Sequence, residues 1–159
     1  MELYHGSNIE VRQPTILPAL RMLDFGAGFY LTSNYQQAEQ WAKVVARRRA
    51  TTQAIVNCYM LDMEKLEGLK ILRFTEAGEE WLEFVVANRS GHNVGRILDL
   101  VIGPVANDAT LPVIDDYMDG RYTREEAIKR LLPQRLTDQY AFLTPVALER
   151  INFVRSDIL

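Results

Sequence analysis

The 159-residue chain has little of what metal centres and disulfide frameworks are made from: one cysteine and two histidines. A single thiol, Cys58, forms no intrachain disulfide and, with only two histidines in the chain, leaves no zinc site to be expected. No apolar run approaches the roughly 20 residues that cross a bilayer. The opening Met-Glu-Leu-Tyr-His also lacks the basic and apolar regions of a signal peptide. A cytoplasmic protein without a membrane partner is therefore expected. A strong positive charge is missing too: the formal net charge is −3, which argues against nucleic-acid binding driven by bulk phosphate neutralisation. The run Arg47, Arg48, Arg49 is a local exception, read here as cations at a helix end that offset its macrodipole. Glycine-rich phosphate loops of the Rossmann or Walker kind, internal repeats and low-complexity tracts are absent as well.

What is present is an ordinary globular balance, 48% hydrophobic and 25% charged residues. The length fits one domain, residues 1–159. Its most organised stretch is residues 24–41, a glycine turn running into a short aromatic strand and then a helix. Gly26 and Gly28 permit turns and close approaches. Along the strand Tyr30 and Thr32 share one face, the candidate ligand face. Ser33 followed by Gln36 reads as a capping box. Tyr35, Ala38, Trp41, Ala42 and Val45 then recur at helical spacing.

Around that unit the chain alternates between strand and helix patterns. Strands are expected from Leu3, ending near His5, and over 54–61, 69–74, 98–102, 139–143 and 151–155. Helices are expected after Thr75, carrying Trp81, Phe84, Val85 and Asn88, and after Asn107 or Asp108 as far as Met118. A further helix is expected from the Thr123/Glu126 capping box to Leu132, and a helical turn from Thr144 to Arg150. Residues 8–23, with Pro14 and Pro18, read as irregular, either a lid or a packed loop. Residues 88–95 read as a turn-rich break. Without a steady βαβ rhythm, the class is α+β, with a split mixed and antiparallel sheet core and surrounding helices.

Three pieces, Leu-Tyr-His-Gly-Ser at 3–7, Gly-Phe-Tyr-Leu-Thr at 28–32 with Ala38 and Trp41 following, and Asp-Gln-Tyr-Ala-Phe at 138–142, carry a resemblance. In order and spacing they resemble the three motifs of ADP-ribosyltransferases of the diphtheria-toxin and poly(ADP-ribose) polymerase branch. The blocks at 81–88 and 99–108 are further similar to a bacterial family of unknown function placed in that superfamily, often encoded beside a small partner in the manner of toxin and antitoxin. The resemblance implies an NAD-dependent transferase, without a metal, that moves a single ADP-ribose to a macromolecular acceptor. It implies that His5 bonds a ribose hydroxyl of the adenosine half and that the Gly6 backbone bonds the nicotinamide carboxamide, with Ser7 beside them. It implies further that Tyr30 stacks on nicotinamide and that Trp41 stands where a second aromatic closes the sandwich. Thr32 and Ser33 would supply polar contacts. Trp41 has an equal reading as the largest core residue of its helix.

The third motif departs from the pattern, because Gln139 stands where the reference families carry a glutamate. That glutamate holds the ribose 2′-hydroxyl and stabilises the oxocarbenium-like cation formed as nicotinamide leaves. Glutamine keeps an acceptor and loses the charge. At about 4 Å and an effective dielectric of ~20, that charge contributes on the order of 4 kcal/mol, roughly a thousandfold in rate. Among carboxylates that could substitute, Asp24 ranks first, ahead of Asp138, Glu79, Glu80 and Glu83. Three outcomes stay open: a mono-ADP-ribosyltransferase, an NAD-binding module without transfer, and an NAD glycohydrolase.

Overall fold

A computed structural model describes residues 1–17, 23–92 and 97–159. Within these residues the chain forms two sheets and five α-helices, an α+β fold. The first sheet has the order β1 (Glu2–Ser7), β3 (Ile55–Leu61), β7 (Ile151–Ile158), antiparallel throughout. The second has the order β2 (Phe29–Leu31), β6 (Asp138–Phe142), β5 (Leu100–Pro104), β4 (Ile71–Arg73). Its β4–β5 pair is parallel and its other pairs are antiparallel. The parallel pair needs a long crossover, and α2 (Glu79–Arg89) lies on that connection.

The two sheets pack face to face. Leu3, Tyr59, Leu61 and Ile151 of the first meet Phe29, Leu31, Leu100, Tyr140 and Phe142 of the second in one buried cluster. The outer face of the second sheet, through Val101 and Ala141, is covered by Trp81, Leu82 and Val85 of α2, Ile114 of α3 (Leu111–Met118), and Ala127 and Leu131 of α4 (Arg124–Leu131). Trp81 is completely buried, and its indole N–H donates to the Pro104 carbonyl at 2.9 Å, so the polar edge of the largest core ring is satisfied. The outer face of the first sheet carries α1 (Tyr35–Arg48), seated through Ala38, Ala42 and Ala46.

This last contact explains why α1 lays alanines, not Trp41, against the sheet. A Cβ built on Gly6 would stand 2.2 Å from the Ala38 carbonyl oxygen and 2.6 Å from the Ala42 backbone nitrogen. Strand and helix backbones touch there, and nothing larger than alanine fits between them. Trp41, 42% exposed, faces sideways and is not the core residue of its helix.

Several helix starts differ from the sequence reading. Asn34, not Ser33, caps α1, its Oδ1 accepting from the Gln37 amide at 3.0 Å. Ser33 is instead drawn to Asp138 across the sheet. The second helix begins after Gly78 with no side-chain cap, three residues beyond Thr75. Asn107 caps the turn before α3 by accepting from the Ala109 and Thr110 amides, each at 3.0 Å. Thr123 caps α4, and Thr144 caps the short α5 (Pro145–Leu148), as their spacing predicts. Of the irregular segment 8–23, residues 8–17 form a packed loop. The buried Asn57 bonds the Val11 amide at 2.9 Å and the Ile9 carbonyl at 3.0 Å, and the Tyr59 hydroxyl bonds the Val11 carbonyl. Residues 18–22 of that expectation, Pro18 among them, like residues 93–95 of the expected turn-rich break, lie outside the described residues.

Replacing Gly6 with alanine should destabilise the protein by about 3 kcal/mol, because overpacking here meets backbone and not a flexible side chain. Urea unfolding checks this. A Gly6→Ala variant as stable as the parent would mean that α1 does not rest on β1.

Candidate functional site

The two sheets are joined along their backbones at one place among the described residues. Tyr4 and Thr32 form an antiparallel bridge, with the Tyr4 amide on the Thr32 carbonyl at 2.8 Å and the Thr32 amide on the Tyr4 carbonyl at 2.9 Å. The first two motifs of the sequence meet at this bridge. One residue on, the His5 Nδ1–H donates to the Tyr30 carbonyl at 2.8 Å, and the imidazole stacks on Phe29 with ring centroids 4.2 Å apart. Because a carbonyl can only accept, the neutral ring carries its proton on Nδ1 and keeps Nε2 as an acceptor. Burial holds the His5 pKa below its ordinary value, the Tyr30 carbonyl opposes that shift, and the Arg49 charge adds a little to it.

The third motif is tied to the same junction. The Asp138 carboxylate accepts from the Thr32 hydroxyl at 3.1 Å, from the Ser33 amide at 2.8 Å, and from the Ser33 hydroxyl. Gln139, buried at 7% exposure, pairs with Gly103 in the sheet register, and its Nε2 reaches toward the Pro104 carbonyl at 3.5 Å. Tyr30 pairs with Ala141, two residues further along β6. Alternation therefore sets Tyr30, Thr32 and Gln139 on one face of the second sheet.

A cleft of about 260 Å³ opens beside the junction. His5, Gly6 and Ser7 of β1 form one wall, and Trp41, Val45 and Arg48 of the first helix, with Arg49 at its C-terminal cap, form the other. Four of the residues singled out by the motifs thus share one concavity. Arg48 lies over the Trp41 indole with its guanidinium carbon 5.2 Å from the ring centroid, a cation–π contact that takes up one face of that ring. Arg49 donates from Nη1 to the Asn8 side chain at 2.8 Å.

Tyr30 stands apart from this cleft. Its ring packs with the core under α2, and its hydroxyl donates to the Gly26 carbonyl at 2.5 Å while accepting from the Phe25 amide at 3.1 Å. Burial pushes the phenol pKa well up, so it stays protonated and acts as a hydrogen-bonded brace for the glycine turn, where Gly26 holds φ +98°. That turn borders a second cleft of about 290 Å³, lined by Phe25, Phe84, Asn88, Leu98 and Leu143 among others, with no ionisable side chain among the described residues. The structure so brings together His5, Gly6, Ser7 and Trp41, and separately Tyr30, Thr32 and Gln139, with the Tyr4–Thr32 bridge between the groups.

Most of the carboxylates considered as replacements for a glutamate at 139 are already engaged. Asp24 pairs with Arg89 at 2.7 Å, both side chains 18% exposed, and Asp138 holds Thr32 and Ser33. Glu79 pairs with Arg124 at 3.2 Å, and Glu83 accepts from the Tyr117 hydroxyl at 2.8 Å. Glu80 is exposed on α2. Two features escaped the sequence reading. Adjacent strand residues face opposite ways, which sets Asp138 away from the face of Gln139, yet it sits at the first position of β6, where its carboxylate reaches the end of β2. Reading Arg48 and Arg49 only as helix-end cations misses that Arg48 stands seven residues from Trp41, the spacing of one helical face.

Of groups of three or more His, Cys, Asp or Glu able to hold a metal, there is none among the described residues. No helix among them is long and apolar enough to cross a membrane.

The depressed His5 pKa makes a signed prediction. The unfolded chain takes up a proton near the ordinary value of 6.5, while the folded chain resists it. Stability is therefore flat above that value and falls as the pH drops through it toward the folded value, by at most about 1.4 kcal/mol per pH unit. Urea unfolding between about pH 7.5 and 5.5 should show this slope in the wild type and lose it in His5→Gln. An identical slope in both would assign the titration to another group.

Neither curated proteins nor solved structures give a match to this chain. A protein family does: residues 1–153 match the family described as "Protein of unknown function (DUF3990)", and the chain belongs to it.

Proposed function

We propose that this protein binds NAD at the junction of its two sheets and transfers a single ADP-ribose from it to a macromolecular acceptor. The observation that carries the reading is the cleft in which His5, Gly6, Ser7 and Trp41 converge. These residues come from two stretches more than 30 positions apart, and the motif resemblance selected them for the same ligand. The cleft's size suits part of a dinucleotide and lies near the lower end for small-molecule sites. His5, fixed by the Tyr30 carbonyl with Nε2 unprotonated, can accept from a ribose hydroxyl. The Gly6 backbone has no side chain in the way of a ligand amide. Trp41 lines the cleft, is 42% exposed and has one indole face occupied by Arg48.

Chemistry at this site would be slow. Departure of nicotinamide leaves positive charge on the ribose, and the motif resemblance puts Gln139 where a carboxylate would oppose that charge. Asp138, the nearest carboxylate in sequence, is held by Thr32 and Ser33, and Asp24 by Arg89. This engagement of charges favours a second reading, an NAD-binding module with little or no turnover. In either case, a toxin restrained by a small protein partner is the cellular role that the motif resemblance suggests.

Nicotinamide release from NAD, followed with and without a bacterial lysate, separates the readings. Release with labelled macromolecules is the outcome expected of a transferase, release without labelling that of a glycohydrolase, and binding without release that of the module. Gln139→Glu should raise release by up to roughly a thousandfold, the value of one well-placed charge. Unchanged or lower release in that variant would remove Gln139 as the limit on rate.

A further inference from the structure

We infer that Arg48 and Arg49 form an anion subsite in the cleft beside His5, and that the group they take is a diphosphate. That the diphosphate belongs to a dinucleotide rests on the function proposed above; the anion preference rests on the cleft itself. Arg48 and Arg49 both line this cavity of about 260 Å³, and among the described residues no carboxylate does. Neither arginine is committed to an acid. Arg48 rests on the Trp41 ring and Arg49 on the neutral Asn8 side chain, so each is oriented without a carboxylate partner among the described residues. Paired guanidinium forks match the oxygens of a diphosphate better than a single point charge does.

The plain alternative is that the arginines only offset the negative end of the first helix. Arg47 supplies the control, since it lies in the same last turn and does not line the cleft. Macrodipole compensation would involve all three residues about equally, because it depends on closeness to the helix end. Anion binding would involve Arg48 and Arg49 alone. Trp41 has a part in this arrangement as a positioning residue, the platform that holds Arg48 over the cleft.

Isothermal titration of the whole protein with inorganic pyrophosphate, with NAD and with uncharged adenosine tests the inference. The variants are Arg47→Ala, the double change Arg48→Ala with Arg49→Ala, and the same double change to glutamine in case the alanines disturb the helix end. The double variants should bind pyrophosphate and NAD at least about tenfold more weakly, since each charge-assisted bond is worth more than that factor. Adenosine binding should stay unchanged, and Arg47→Ala should bind all three as the wild type does. Equal weakening by Arg47→Ala would overturn the subsite in favour of helix-end electrostatics. NAD binding that survives the double change would overturn the subsite and leave the dinucleotide reading standing. Arginine-dependent binding of pyrophosphate without binding of NAD would keep the subsite and remove the dinucleotide. A wild type that binds neither would overturn both.

Discussion

The structure depends on two hydrogen bonds, those that Tyr4 and Thr32 exchange across the gap between the sheets. Face-to-face packing alone fixes the spacing of two sheets and leaves their relative slide less well determined. The bridge sets that slide, because it matches the end of β2 to a single residue of β1. Its neighbours lock the register further. His5 reaches back to the Tyr30 carbonyl, and Asp138 gathers Thr32 and Ser33 from the strand beyond. Three segments that are far apart in the chain thereby meet within a few residues of one another.

The cleft follows from this join combined with a second close contact. Gly6 allows the first helix to rest its backbone on β1, and the alanine line that fits there turns Trp41, Val45 and Arg48 toward the adjoining cavity. A larger residue at position 6 would lift the helix and open the cleft. Packing and site are consequently one arrangement. Gly6 supplies both the close approach and an unobstructed backbone beside the proposed ligand cleft, and the same glycine would be required for either purpose alone.

Much of this was legible in the sequence. Alternating and helical patterns located the strands and helices, and Thr123 and Thr144 marked helix starts correctly. Ser33 and Thr75 misled because a capping pattern is local, whereas the Ser33 side chain is drawn to a partner 105 positions away and Gly78 starts its helix without a side-chain cap. The grouping of the candidate residues was only partly visible. Motif order brought His5, Gly6, Ser7 and Trp41 together, but a linear pattern does not show that the Tyr30 hydroxyl would be claimed by the turn just before it. It also does not show which of three consecutive arginines would face a cavity.

Amide hydrogen exchange, recorded with and without NAD, tests most directly the claim that this junction both joins the sheets and carries the ligand. The Tyr4 and Thr32 amides should exchange as slowly as the central strands before ligand is added, and NAD should slow exchange further at residues 5–7 and 45–49. Loop-like exchange at Tyr4 and Thr32, or protection by NAD that falls around the Gly26 turn instead, would contradict it.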